Sequence, residues 1–139
     1  VSEIKSPAKP LPVVQPWARP YWDATREHRL VLQYCEDCNR LIHYPRIACP
    51  HCGSVRLSWR EASGRGTVYS FTVVESNAPS AFLADMPYVV AVVELAEGVR
   101  MLTNIVDCDP HALRCDMQVE VVFEKLGDEF VLPKFRPAS

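Results

Sequence analysis

From Gly66 onward the apolar residues fall in short runs with alternating character instead of recurring at helical spacing. Thr67–Glu75, Tyr88–Leu95, Arg100–Val106, Gln118–Leu126 and Phe130–Leu132 are rich in Val, Ile, Phe and Tyr, and turn-forming residues separate them, a pattern that predicts five strands. Five strands with a wide central connection suit a small Greek-key barrel of the OB type. Asp109–Leu113 is expected to hold a short helical turn between the third and fourth of these strands, and Gly127-Asp128 marks the last hairpin. One strand departs from alternation: Tyr88–Val93 is apolar on both faces, so its outer face needs a cover. Either the helix and N-terminal arm of the same chain supply it, or another subunit does.

The residues before Gly64 read differently. Val1–Pro16 holds Pro7, Pro10, Pro12 and Pro16 with little periodicity, which predicts an extended, polyproline-like arm. Trp17–Leu30 carries Pro20 at a first helical turn, followed by Tyr21, Trp22, Thr25 and His28 at roughly helical spacing. A short helix is expected there, its aromatics Trp17, Tyr21 and Trp22 serving as core of a small module or as a partner surface. Leu30–Tyr34, Arg40–Tyr44 and Val55–Glu61 read as three further strands. The chain is therefore expected to be mainly β: an arm over residues 1–16, a helical segment with a lead-in strand over 17–34, a metal-binding ribbon over 35–61, and a five-stranded OB-fold barrel over 62–139.

The ribbon is inferred from two matched cysteine pairs, Cys35-Glu36-Asp37-Cys38 and Cys49-Pro50-His51-Cys52. Thiolates spaced in this way sit on tight turns with both sulfurs pointing inward, and two such turns close a tetrahedron around one ion. Gly53 after the second pair, and Asn39 after the first, supply residues that tolerate the positive φ this turn needs. Cys35, Cys38, Cys49 and Cys52 are thus the expected ligands, of a structural Zn²⁺ or, in a rubredoxin-like variant, of iron. Two disulfides or free thiols are the bland alternative. His43 and His51 are expected to lie outside the coordination sphere, because four thiolates complete it.

Composition narrows the choice of function. With 139 residues, 48% of them hydrophobic, the chain can bury one core, which implies one compact domain plus a small metal-stapled appendage. The net charge of -2 and pI near 6.1 argue against a strongly cationic nucleic-acid binder. No apolar run approaches the roughly 20 residues that span a bilayer, and no N-terminal segment has signal-peptide character. Thiolate ligands beside two unmatched cysteines, Cys108 and Cys115, fit a reducing, cytoplasmic compartment. The start at Val1 without Met suits a processed product or one domain of a larger polypeptide. No nucleophile motif, phosphate loop or dinucleotide glycine pattern is present. Cys108-x2-His111-x3-Cys115 offers three potential ligands without a fourth and reads instead as buried thiols beside a turn at Pro110.

From Pro20 onward the sequence resembles a known family, the proteins in which a rubredoxin-like zinc ribbon precedes an acyl-CoA-associated OB-fold domain. The resemblance rests on Tyr21-Trp22-Asp23-Ala24, Arg29-Leu30, the two cysteine pairs with Gly53-Ser54, and the run from Gly64 to Thr72. Pro87-Tyr88-Val89-Val90, Leu102-Thr103-Asn104 and Val119–Phe123 extend it. Asn39 departs from the glycine usual in the family. What the resemblance implies is an accessory, non-catalytic protein assembled with thiolase-superfamily enzymes, including the sterol-carrier-like aldolases of steroid side-chain breakdown, or fused to hydratase-like domains. It also implies an OB domain that holds or passes CoA thioesters, or that completes the partner's fold.

Binding a CoA thioester would need cations for phosphates and an apolar slot for the pantetheine and acyl chain. Arg65, Arg100, Lys134 and Arg136 are the candidate cations, and Phe71, Phe82 and Met86 the candidate lining. The Asn77–Pro87 connection, with Phe82, Leu83 and Met86, exposes apolar side chains that a partner or an acyl group would order. The alternative is a zinc-ribbon/OB module for single-stranded nucleic acid, using Tyr69, Phe71 and Arg100. Glu75, Glu94, Glu97, Glu120 and Glu124 on or beside the strands count against it.

Overall fold

The structure, a computed structural model, describes residues 8–138, so the first seven positions of the expected arm lie outside the described residues. Residues 8–15 run extended into a 3-10 turn at Pro16–Ala18, which leads directly into helix α1 (Arg19–Arg26) with Pro20 in its first turn. Pro is tolerated there because that N–H has no intrahelical partner. The helix is shorter than the periodicity predicts. The N–H groups of Glu27 and His28 turn back to the carbonyls of Ala24 and Thr25, and His28 adopts φ 58°, a left-handed residue that ends the helix before Leu30.

Three strands, β1 (Val31–Cys35), β2 (Leu41–Ile42) and β3 (Leu57–Glu61), form an antiparallel sheet in the order β2-β1-β3. β2 falls short of the predicted Arg40–Tyr44 because the chain leaves the sheet toward the barrel, where the Leu102 N–H donates to the Tyr44 hydroxyl at 2.8 Å. β3 starts at Leu57 and not at Val55, because Ser54 and Arg56 are tied to the first cysteine turn: Glu36 N–H donates to Arg56 O and the Arg56 guanidinium to Asp37.

β4 (Arg65–Val74), β5 (Tyr88–Leu95), β6 (Arg100–Ile105), β7 (Gln118–Leu126) and β8 (Phe130–Pro137) close a barrel in the order β4-β5-β6-β8-β7. All pairs are antiparallel except β6 with β8, which meet in parallel at Ile105 and Phe135. The fold is thus mainly β, with an N-terminal helix, a four-cysteine ribbon and a five-stranded OB barrel, as the sequence predicts. Val68, Val89, Val93, Val119 and Phe135 are fully buried at its centre. No helix of the described residues is long and apolar enough to cross a membrane.

Two glycines let β4 coil between its neighbours. A Cβ on Gly66 would fall 2.6 Å from the Glu94 carbonyl oxygen, and Gly64, at φ 80°, approaches a Val121 methyl at 2.5 Å from the position a Cβ would take. At Gly66 the backbones meet too closely for a side chain, and at Gly64 the Val121 side chain fills the space. A bulge between Val68 and Ser70 then turns Tyr69 outward, half exposed, and brings Phe71 and Val73 into register with the inward Ala91 and Val89.

β8 runs well past the predicted end at Leu132. Pro133 and Pro137 are compatible with a strand because the missing donors face the β6 side, where the two strands pair at one position. There the Thr103 hydroxyl donates to Pro133 O, and Val106 N–H to Phe135 O. No ladder bond is lost to the prolines.

The double-sided β5 buries Val89, Ala91, Val93 and Leu95 inward and half-buries Tyr88, Val90 and Val92 outward. α1 is not its cover, contrary to one expectation. The helix packs on the β7–β8 hairpin instead: Trp22 meets Phe130 edge-on at 5.6 Å, His28 stacks on Phe123 at 5.1 Å, and the Arg26 side chain donates to Glu129 O. β5 is flanked by the arm and by the 3-10 turn Ser80–Asp85 of the long connection. Of the helix aromatics, Tyr21 is core, Trp22 half-buried, and Trp17 exposed.

Candidate metal centre and ligand groove

The cysteine turns are built alike. Cys35 N–H donates to Arg40 O and Asn39 N–H to Cys35 O; in the second turn Cys49 N–H donates to Ser54 O and Gly53 N–H to Cys49 O. Asn39 (φ 58°) and Gly53 (φ 78°) both occupy the left-handed region that lets each loop curl around its sulfurs. Asn39 adds a bond that Gly cannot make, its side-chain oxygen accepting from the Tyr34 hydroxyl at 2.8 Å. Backbone donors then reach the sulfurs, Cys38 N–H to Cys35 Sγ at 3.5 Å and His51 N–H to Cys49 Sγ at 3.3 Å.

The four sulfurs lie within 4.8 Å of one another, with Cys35–Cys52 and Cys38–Cys49 at 3.6 Å. A metal–sulfur bond of about 2.3 Å in a tetrahedron implies sulfur–sulfur edges of about 3.8 Å. The cluster has the size of such a sphere, and its pairs are far too long for disulfides. Its electrostatics also call for a cation. The Cys38 N–H lowers the Cys35 thiol to about 7, while burial, and then the neighbouring sulfurs, push Cys38 up to about 12. Four clustered thiolates repel one another, and a divalent ion removes that penalty.

The histidines stand apart. His51 turns its ring to Arg40, with 3.3 Å between Nδ1 and the guanidinium. His43 is not polar in its setting: its ring packs against Tyr21 and Tyr44 at 5.6 and 4.2 Å, and both ring nitrogens are buried without a partner among the described residues. Burial depresses its pKa from 6.5 to about 4. The folded protein therefore binds fewer protons than the unfolded chain between these values. Stability conferred by neutral His43 is complete above about pH 6.5 and falls by about 3 kcal/mol as pH drops through 4. His43→Phe is expected to flatten this part of the acid-unfolding curve, measured as the difference from wild type in urea titrations at pH 4.5 and 7.

Buried Gln33 positions the loop between the pairs. Its side-chain amide donates to Arg46 O at 2.8 Å and accepts from Arg46 N–H at 2.7 Å, pairing with that peptide as a neighbouring strand would. Gln33→Leu leaves both backbone groups unpaired and is expected to cost about 2 kcal/mol. Faster amide exchange over 44–48, with metal retained, is the local signature.

The ligand residues proposed from sequence do not converge. Phe82 and Lys134 line a groove of about 790 Å³ on the outside of the barrel. Val90, Leu102, Leu126 and Leu132 form apolar parts of its wall, and Lys134 is paired with Glu124 at 2.8 Å. Half-buried Met86 adjoins Pro87 at its edge. Arg65 and Arg136 instead flank Glu120, in register across β4, β7 and β8. Arg100 stacks on the Tyr69 ring at 3.7 Å and pairs with Glu94, and Phe71 packs against the core. The Cys108–Cys115 stretch forms no ligand cluster among the described residues. His111 contacts Glu75 at 3.2 Å, Cys108 is half-buried, and Cys115 is exposed where a buried thiol was expected. The arm, one of the covers expected for β5, does border this groove, through Lys9, Pro10 and Pro12, residues not among the candidates for ligand binding.

A four-thiolate ribbon fused to an OB barrel whose outer face carries a groove defines the class. Residues 22–57 match the rubredoxin-like zinc ribbon domain of ChsH2, and residues 59–124 match its C-terminal OB-fold domain. The chain belongs to this ChsH2/DUF35 family. It is 38% identical over 106 residues to a DUF35 domain-containing scaffold protein of Methanothermobacter thermautotrophicus, spanning 75% of this chain and 78% of that protein. It is 43% identical over 118 residues to a probable enoyl-CoA hydratase alpha subunit of Thermomonospora curvata, covering 85% of this chain but 36% of that one. The chain thus spans about a third of that longer relative. Among solved structures it resembles a chain of an Ltp2-ChsH2(DUF35) aldolase with a TM-score of 0.85 and 40% identity, covering 93% of this chain and all (100%) of that one.

Proposed function

We propose that this chain is a non-catalytic accessory subunit or domain that docks on a thiolase-superfamily enzyme acting on acyl-CoA thioesters, stabilises it and helps handle its substrate. One observation carries the reading: a chain of an Ltp2-ChsH2(DUF35) aldolase matches 93% of this one with a TM-score of 0.85. The relative of Mycobacterium tuberculosis, a 3-oxo-4,17-pregnadiene-20-carboxyl-CoA hydratase alpha subunit 38% identical over 108 residues, supports a steroid CoA thioester as the substrate class.

Cys35, Cys38, Cys49 and Cys52 hold a structural Zn²⁺ in this reading, the donor set and its spacing suiting that ion. Four protein ligands leave no open position for substrate, so the ion's contribution is to folding. Substrate handling falls to the barrel groove, where Phe82 and Lys134 meet an apolar wall.

Co-expression with a thiolase-like aldolase tests the reading. Co-elution on size exclusion, with aldolase activity dependent on this chain, is expected. A monomer that never associates, beside an aldolase fully active alone, would refute it. Salt-dependent binding to single-stranded nucleic acid would instead favour the alternative, which the Arg100 stack and the Glu94 pair on the β4–β6 face disfavour.

A further inference from the structure

OB folds meet their ligands on the face of their second and third strands, between the first hairpin-like connection and the last hairpin. In this barrel those parts are β5, β6, the connection at 75–87 and the turn at 127–129. The N-terminal arm lies against that face. At one side Lys9 Nζ is 2.7 Å from Asp85 and 5.6 Å from the centre of the Phe82 ring, both on the 3-10 turn Ser80–Asp85. Further along, Leu11 comes close to the last hairpin, its Cδ2 3.7 Å from where a Cβ on Gly127 would sit. Pro10, between these contacts, and Pro12, just past the second, line the groove. An extended segment fastened to both flanking loops is more than a tail passing by, and its prolines lose little conformational entropy on being held.

We propose that Lys9–Pro12 is a working wall of the groove, latched by the Lys9–Asp85 pair, so that the arm sets how tightly the groove holds an apolar chain. The inference rests on the reading of the groove as a thioester-handling surface. Val90, Leu102, Leu126 and Leu132 provide one apolar side, and the two prolines provide the side that a strand surface alone lacks. Lys125, which also lines the groove and has no ion-pair partner among the described residues, leaves a cation beside it for an anionic head group.

The metal-loaded chain is compared with a variant lacking residues 1–15, with Asp85→Lys, and with the charge swap Lys9→Asp/Asp85→Lys. Two measurements are made: decanoyl-CoA binding by calorimetry, and the alkylation rate of Cys108, a half-buried thiol in the same groove, by mass spectrometry. Removing the arm is expected to weaken decanoyl-CoA binding about tenfold and to speed Cys108 alkylation. Asp85→Lys should weaken binding two- to fivefold, the scale of one exposed ion pair, and the swap should restore it to within about twofold. Unchanged or tighter binding without the arm overturns the proposal, as does a swap that restores nothing. If no variant binds decanoyl-CoA, yet losing the latch unmasks Cys108 and the swap masks it again, the latch stands and the thioester reading falls.

Discussion

Cys49→Ser is expected to empty the metal site and unfold the ribbon while leaving the barrel folded. The reason lies in what the ribbon has for a core. Its buried residues are Cys35, Ile42 and Cys49, with Cys38 and Leu57 packed beside them, so the cysteines of the cluster make up most of it. A module with so little apolar burial depends on the ion, whose binding contributes about 10–16 kcal/mol to folding in zinc-finger peptides. The barrel core around Val68, Val93, Val119 and Phe135 is separate, and it includes Leu30 and Leu32 at the entry to β1. Unfolding should therefore stop near the first cysteine and again near Leu57. Metal analysis falling from one ion per chain to none, with new proteolytic sites confined to residues 36–56, is the expected result. Retained metal with an unchanged protection pattern would show that Cys49 is not a ligand.

Gly66→Ala is expected to destabilise the barrel by about 3 kcal/mol, at the upper end of overpacking effects. Gly66 stands between two partners at once, Leu95 on β5 and Val119 on β7, at the point where β4 closes the barrel. The added methyl meets the Glu94 carbonyl oxygen at 2.6 Å and a Val93 methyl at 2.8 Å, and the first of these is backbone that cannot rotate away. The urea midpoint should fall with the slope unchanged, and metal content should stay at one ion per chain. Gly53→Ala offers a contrast. No atom of the described residues lies within 4 Å of its Cβ position, so its cost comes from φ 78° alone and should be nearer 1 kcal/mol, confined to the ribbon.

The four-cysteine cluster was legible in the sequence because its geometry is local. Each pair of sulfurs is fixed by a four-residue turn, and Asn39 and Gly53 announce the left-handed residue that completes it. The five barrel strands were legible for a similar reason, since alternation along one strand records which face is buried. Their ends were less so. Pro133 argued for stopping β8 at Leu132, and only the nearly unpaired seam against β6 shows why the strand tolerates it. His43 was expected only to lie outside the coordination sphere; its packing on Tyr21 of α1 is a long-range contact that no local pattern records.

The candidate ligand residues divide along the same line. Phe82 and Lys134 are 52 positions apart and share one groove, whereas Arg65, Phe71 and Arg100 lie nearer to one another in sequence and point to different surroundings. Charge and hydrophobicity identify what a side chain could bind, but the register of a closed barrel decides what it faces. By itself the sequence determined the four-thiolate turns, the helix and the strand count, all set by contacts within a few residues. Tertiary structure alone decided that α1 covers β7–β8, that the arm reaches the Ser80–Asp85 turn and the last hairpin, and that it shares one groove with β5 and β6. Those outcomes depend on strand order and on long-range packing between elements far apart in the chain, which no local pattern encodes.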